Sequence, residues 1–318
     1  MMSLPRAALG LSVVVLAWGL NYPIVTLGLS YSPPIWLAFF RALSAFLAMM
    51  LLLRGLGVKA PLSSKQKAIA AMFGIPGSVL FFGFWLLGST TVSPGVSSVL
   101  VMTFPLWILF LSVPILGDRP SPKKVGAALL GFVGTALASN ALLQGTGSDA
   151  LAMVELVAAG FGFGLLNVGM KKFFRGQEML RANVWQLGAS LIPLAVWASF
   201  TSPIQSVQWS LGLAFSVFWI GVLGTAVAFV LWFTLLSQYN AASLGSYLFM
   251  IVVVALVSSF LAFGEPVDVI QAGGVALIVA SIYLVSKNDR HMHRPSTADY
   301  AKGGPIEDMP PNKTRGGL

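Results

Sequence analysis

"LGDRPSPKKVGAALLGFVGTALAS", residues 116–139, returns about 147 residues later as "FGEPVDVIQAGGVALIVASIYLVS", residues 263–286. Gly117 falls on Gly264, Asp118 on Glu265, Gly126 on Gly273 and Ser139 on Ser286. The same shift sets Trp85, in "FFGFWLLGSTTVSPG", against Trp232, in "FVLWFTLLSQYNAAS". Near the start of each half the shift is about 146 and sets "GLN" at Asn21 against "LLN" at Asn167. Each pairing alone is at chance level, but the ordered set is not. The chain therefore reads as two copies of one unit, residues 1–143 and 144–286, followed by a tail of residues 287–318.

Composition says what the unit is made of. Of 318 residues 57% are apolar and 9% charged, with a mean hydropathy of +0.85, whereas a soluble domain carries roughly 25% charged residues. Apolar runs long enough to cross a hydrocarbon core of about 30 Å as helix recur along the whole chain. There are ten, at about 7–29, 34–53, 68–89, 93–116, 124–143, 151–171, 180–200, 209–235, 243–263 and 268–286. They are continuous rather than alternating, which argues against a transmembrane barrel. The first run reads as a span and not a cleaved signal peptide, because Arg6 is its only early charge and a second span follows at once. Cysteine is absent, so disulfides are excluded.

Placing the N-terminus in the cytoplasm and reversing the chain at every span puts Arg54, Lys59, Lys65, Lys67, Arg119, Lys123, Lys124, Lys171, Lys172, Arg175 and Arg181 inside, with Arg6 and the basic residues of the tail. Of the 19 lysines and arginines only Arg41 is left out, while Asp149, Glu155, Glu265 and Asp268 lie outside. That is the positive-inside pattern, and the net charge of +9 reports topology, not nucleic-acid binding. Five spans per unit is an odd number, so the second copy enters the membrane inverted. An inverted pair of this kind encloses a site near the midplane in many secondary transporters. The expected fold is all-α and integral to the membrane, with ten transmembrane helices as two inverted five-helix repeats around a central cavity. Trp85 and Trp232 are expected as interfacial belts on opposite faces, and Trp36, Trp197 and Trp209 as an outer belt.

"WGLN" in the first span, "FFRAL" around Arg41, "LGD" before a glycine-rich helix and "FGEP" before "GGVALIVASIYLV" together resemble the EamA repeats of the drug/metabolite transporter superfamily. The resemblance covers about 280 residues, all but the tail. Two departures stand out: Asp118 replaces the glutamate usual in the family, and the second half has no arginine matching Arg41. The resemblance implies ten helices around a cavity and movement of metabolites or amino acids, as in the amino-acid exporters of the family.

The residues point to where such a cavity lies. Asn21 and Arg41 fall about 12 and 10 Å from the outer ends of neighbouring spans by helical rise, joined by the short "SYSPP" turn. Arg41 is the one basic residue within a span, and burying it costs at least about 2.5 kcal/mol. It either faces a wet cavity, meeting freed carbonyls or a substrate carboxylate, or is structural and snorkels outward or ties loops together. Pro23 and Pro105, beside polar or aromatic neighbours, are candidate gating positions, and Pro76, Pro114 and Pro193 read as packing kinks. Asn167 repeats Asn21 and supplies either cavity polarity or an interhelical hydrogen bond. Trp18, Trp107, Trp219 and Tyr247 lie deep, and two of these four are expected to line the cavity. Gly160 and Gly164 have the small-xxx-small spacing of close helix packing.

No paired carboxylates, metal-spaced histidines or Ser/His/Asp set occurs within the spans, so an enzyme is not expected, nor a cofactor or metal. His291 and His293 in the tail are incidental, and the tail reads as disordered cytoplasm. The expected function is a secondary transporter for a small metabolite, an aromatic or other neutral amino acid first, working by alternating access. Glu155 is the one acid inside a span and sits near its outer end, so facilitative export is expected. Alternatives are an exporter of lipophilic or cationic drugs, a proton-coupled antiporter, or a channel or structural protein. The expected setting is the bacterial inner membrane with both termini cytoplasmic. The partners are a small-molecule substrate and the lipid bilayer, and the protein is a monomer or weak dimer.

Overall fold

A computed structural model describes residues 4–91, 94–138, 150–239, 241–263 and 268–288, and all regular structure among these is helical. The first apolar run is two helices, α1 (Leu4–Gly19) and α2 (Asn21–Leu29), and α3 (Pro34–Gly55) follows. The third run is composite, with α4 (Ser64–Met72), a π-helical segment (Ile75–Phe84) and α5 (Trp85–Gly88). The fourth is divided into α6 (Pro94–Val101) and α7 (Phe104–Leu116), and α8 (Pro122–Ala138) completes the first half. The second half runs α9 (Ala150–Phe173), α10 (Gln177–Thr201), and α11 (Leu211–Val217) with a second π-helical segment (Phe218–Val227) and α12 (Ala228–Gln238). It closes with α13 (Ala241–Tyr247), α14 (Met250–Phe263) and α15 (Val269–Asn288). Among the described residues seven helical stretches are long and apolar enough to cross a membrane, and Leu244–Ser258 and Val269–Leu284 are shorter apolar helices.

Helix ends follow local chemistry. At Ser63 the side chain accepts from the Gln66 N–H while the Gln66 amide accepts from the Ser63 N–H, a reciprocal cap for α4. Asp268 and Gln271 make the same exchange at the start of α15. Gly117, at φ 74°, ends α7 in the left-handed conformation and lets the Asp118 N–H reach Ser112 O at 3.2 Å. Gly264, Glu265 and Ser139, central to the repeat reading, lie outside the described residues, as do Asp149 and the tail beyond residue 288.

The principal packing is between the halves. The π segment Ile75–Phe84 lies on α9 and the segment Phe218–Val227 on α3, while α3 meets α10, α7 meets α13 and α8 meets α15. The α8–α15 contact is backbone to backbone: a Cβ on Gly134 would stand 2.8 Å from Gly274 O, and Ser281 donates to Ala127 O at 2.6 Å. Small residues are what lets helices approach this closely where lipid supplies no hydrophobic drive. Gly160 and Gly164 do the same for α9 against α6 and α7, since a Cβ on either would stand 2.5–2.6 Å from Thr103 Oγ1 or Trp107 Cβ. The outer surface is apolar, with Phe200 87%, Leu211 90% and Val269 89% exposed. That is a surface suited to hydrocarbon and costly in water.

Candidate functional site: a cavity at the broken first span

Pro23 has no N–H for the carbonyl four residues upstream, and the first span is interrupted at Leu20, three residues before it. Asn21 opens α2 directly after that interruption and is buried. The fourth span is interrupted at Met102–Thr103, and Pro105 sits in the first turn of the restarted helix α7. The two breaks face one cavity, lined by Trp18, Asn21, Tyr22, Arg41, Phe81, Trp85, Val101, Met102, Phe104, Phe163 and Ile251. Its volume is about 20 Å³, room for about one or two water molecules.

Arg41 forms the polar wall. Its guanidinium lies 4.2 Å from the centre of the Phe82 ring and 4.8 Å from that of Trp85, within cation–π range of both. Nε donates to Thr225 Oγ1 at 3.1 Å, and Thr225 in turn donates to Ile220 O at 2.7 Å, five residues back in the π segment. Gly221 and Gly224 make this approach possible. A Cβ on Gly221 would collide with Ser44 Oγ and stand 3.0 Å from Arg41 O, and one on Gly224 would collide with the Asn21 amide. Arg41 is 1% exposed, and among the described residues neither a carboxylate nor a hydrogen-bond acceptor meets its Nη1. Both polar atoms of the Asn21 amide and the Tyr22 hydroxyl are likewise buried without a protein partner.

The remaining walls are aromatic. Phe81 stacks on Phe163 at 4.3 Å and on Trp85 at 5.5 Å, and Tyr22 tilts against Trp85 at 5.6 Å. Trp18 donates from Nε1 to Gly224 O at 2.9 Å and sets its ring edge-on to Phe163 at 5.7 Å.

Of the residues singled out in the sequence, Trp18, Asn21 and Arg41 come together here. The other deep aromatics do not. Trp107 packs edge-on to Phe161 and Trp219 tilts against Phe215, each with an indole N–H that is buried and unpartnered. Tyr247 ends α13 and is not among the lining residues. Only one of those four aromatics lines the cavity, because depth along a span says nothing about which face a side chain takes. Asn167 is also elsewhere. Its amide donates to Phe163 O at 2.7 Å and accepts from Trp232 Nε1 at 2.5 Å, so the interhelical hydrogen bond is the reading that holds. The belts expected at Trp85 and Trp232 are corrected as well: they are 4% and 0% exposed, one beneath Arg41 and the other beneath Asn167. Of the expected outer belt, Trp209 is 70% exposed and lies on the surface, whereas Trp36 is 7% exposed and donates from its indole to Ser202 O at 2.9 Å. Tyr22, Trp85, Phe163 and Thr225 were missed. The signal for Thr225 was the repeat itself, which sets a second hydroxyl, Ser78, 147 positions earlier.

The sequence pattern of the EamA-like transporter family matches residues 5–140 and again 150–287. The chain belongs to that family. This EamA-like transporter is 29% identical over 289 residues to the uncharacterized transporter YvbV of Bacillus subtilis, covering 90% of this chain and 93% of that one. It is 24% identical over 292 residues to a probable terminal-alkyne amino-acid exporter of Streptantibioticus cattleyicolor, covering 90% and 95%. A crystal structure of another protein superposes with a TM-score of 0.75 at 18% identity over 92% of this chain and 100% of that one, a likeness of fold alone. The chain is thus a multi-pass membrane transporter for a small molecule.

Proposed function

We propose that this EamA-like transporter is a secondary carrier for a small amino-acid-like metabolite, with the substrate carboxylate at Arg41 and an apolar or aromatic side chain against Trp18, Trp85 and Phe163. The observation that carries the reading is the buried Arg41, with no carboxylate partner among the described residues, beside an Asn21 amide that likewise has none there. A charge so placed is functional by default in a membrane. The relative named as an amino-acid exporter supports the substrate class. A cationic drug is disfavoured by the same arginine, whose charge would repel it.

The proposal includes ten spans in two inverted halves, residues 1–143 and 144–286, with both termini cytoplasmic in an inner membrane. Its support is the distribution of the 19 basic residues and a set of matched contacts. Gly74 lies against Gln186 O and Ser190 N, and Gly221, 147 positions later, lies against Arg41 O and Ser44 Oγ. The breaks at 102–103 and 248–249 stand 146 positions apart, and the π segments at 75–84 and 218–227 overlap under that shift with an offset of about three residues. Alternating access is part of the proposal because the cavity, at about 20 Å³, must widen to admit an amino acid. Pro23 and Pro105 flank the interruptions where that motion would hinge.

Counterflow in proteoliposomes tests it, with a panel of radiolabelled amino acids, nucleosides and cationic drugs. We expect saturable exchange of a neutral amino acid without an imposed ion gradient, retained in Glu155→Gln. Accumulation driven by a proton gradient alone would replace facilitative export by proton coupling. Exchange of cationic drugs but no amino acid would overturn the substrate assignment, and flux without saturation would make the protein a pore.

A further inference from the structure

We infer that the cavity binds a small inorganic monoanion, of the size of chloride or bromide, in the conformation described here. Three observations converge on it. Arg41 brings a positive charge that is 1% exposed and that no carboxylate among the described residues neutralises. Two further donors sit on the same wall, the Asn21 amide and the Tyr22 hydroxyl, each at least nine-tenths buried and without a protein partner. The space they border is about 20 Å³, room for one or two water-sized species and not for an amino acid.

An isolated ion is expensive to hold away from water, and pairing or protonation change is the usual relief. Thr225 cannot give that relief, because its hydroxyl accepts from Arg41 Nε and donates its one proton to Ile220 O. The rings of Phe82 and Trp85 spread the guanidinium charge but do not cancel it. A halide supplies the missing unit of charge and accepts from several donors at once, without the directional demands of a carboxylate. A water molecule fills the same space but leaves the charge uncompensated. The aromatic wall of Phe81, Phe104 and Phe163 selects against strongly hydrated multivalent anions such as sulfate, whose desolvation nothing on that wall offsets. The anion then holds the place of the carboxylate whenever the cavity is closed, and it must leave when a larger acid enters.

The inference rests on the charge and size of the cavity and is tested without substrate. The purified protein is unfolded thermally in sodium chloride, bromide, sulfate or gluconate at equal ionic strength. We expect the midpoint to rise and saturate with chloride and bromide and to stay flat with sulfate and gluconate. The halide response should vanish in Arg41→Gln, and the half-saturating bromide concentration should rise about threefold or more in Tyr22→Phe, which removes a single donor. Identical wild-type midpoints in chloride and gluconate overturn the inference, as does a full halide response in Arg41→Gln. Should Arg41→Gln not fold, an unchanged half-saturation in Tyr22→Phe overturns it. A protein that moves no amino acid would still show the response, so its loss is distinct from failure of the transport reading.

Discussion

The first half leaves Asn21 and Arg41 open where the second half closes Asn167 and Gln186. In the second half Gln186 donates to Ser78 Oγ at 2.6 Å, Asn183 donates to Gln186 at 3.1 Å, and Asn167 is held by Phe163 O and Trp232. In the first half Arg41 stands on Thr225 as Gln186 stands on Ser78, with Asn21 in the place of Asn167 and Trp85 in that of Trp232. Yet among the described residues the Asn21 amide has no partner, and none meets Arg41 Nη1. Backbone follows the same contrast, since α9 runs unbroken through Leu166 and Gly169 where the first span is interrupted at Leu20 before Pro23. Most of the cavity lining, and all of its open polar groups, come from the first half, with Phe163 and Ile251 added by the second. A buried donor without a partner costs about 1–3 kcal/mol, so a structure that tolerates three at one spot marks the place where a ligand can repay them.

The largest effect is expected at Arg41. Arg41→Leu removes the charge and should lower the counterflow rate by about tenfold to a hundredfold, the worth of about 1.5–3 kcal/mol for a charge-assisted hydrogen bond, while gel filtration shows a folded protein. Arg41→Gln, which copies the second half, should retain folding and lose most transport of a carboxylate substrate. Wild-type rates in Arg41→Leu would make the guanidinium a structural strut and erase the functional difference between the halves.

Next comes Trp232. Trp232→Phe keeps the ring but leaves the fully buried Asn167 oxygen without its donor, at a cost of about 1–3 kcal/mol in stability. Trp85→Phe breaks no comparable bond to Asn21, so its thermal midpoint should fall less while its transport falls more. Equal losses of stability in the two variants would show that the halves are closer to equivalent than their hydrogen bonds imply.

A third comparison uses space instead of charge. Gly224→Ala drives a methyl group into the Asn21 amide, whereas Gly126→Ala meets nothing within 4 Å. Overpacking of this kind costs about 1–3 kcal/mol, while a helical alanine at an open site gains about 0.5–1 kcal/mol over glycine. Transport and thermal stability should both fall in Gly224→Ala and hold or rise in Gly126→Ala. Unimpaired transport in Gly224→Ala would mean that the position of Asn21 does not matter.

The contrast between the halves also explains what could be read from the chain. Hydropathy runs and the ordered repeat disclose helices and pairing because both are one-dimensional signals, and the short turn between Asn21 and Arg41 fixes their neighbourhood. Facing is another matter. A helix that is apolar all round carries no stripe to orient it, so Trp107 and Trp219 were indistinguishable from Trp18. The π segments add to the difficulty, because their wider turn rotates every following side chain away from its α-helical phase. Trp85 comes directly after one such segment and Trp219 lies inside the other. Gln186 was hidden for a different reason, since its match to Arg41 is one of place and not of residue type.

The smallest effect is expected at Pro23, and it bears on why the first span is broken at all. The corresponding stretch of α9 carries Gly169 and stays helical even though glycine is a poor helix former, so the interruption belongs to the proline and not to the surroundings. Pro23→Ala returns an N–H that can reach the carbonyl of Gly19, adding one hydrogen bond worth about 1 kcal/mol net. If the broken form is the one that brings Asn21 to the cavity, mending it shifts the balance between conformations by about fivefold at that energy. We expect a slightly raised thermal midpoint with slower counterflow and little change in half-saturating substrate, because no group that would touch the substrate has been altered. A variant with a higher midpoint and undiminished transport would make the break a packing kink of the kind seen at Pro114 and Pro193, which lie inside helices that continue past them. The open amide of Asn21 would then need an explanation in side-chain contacts alone.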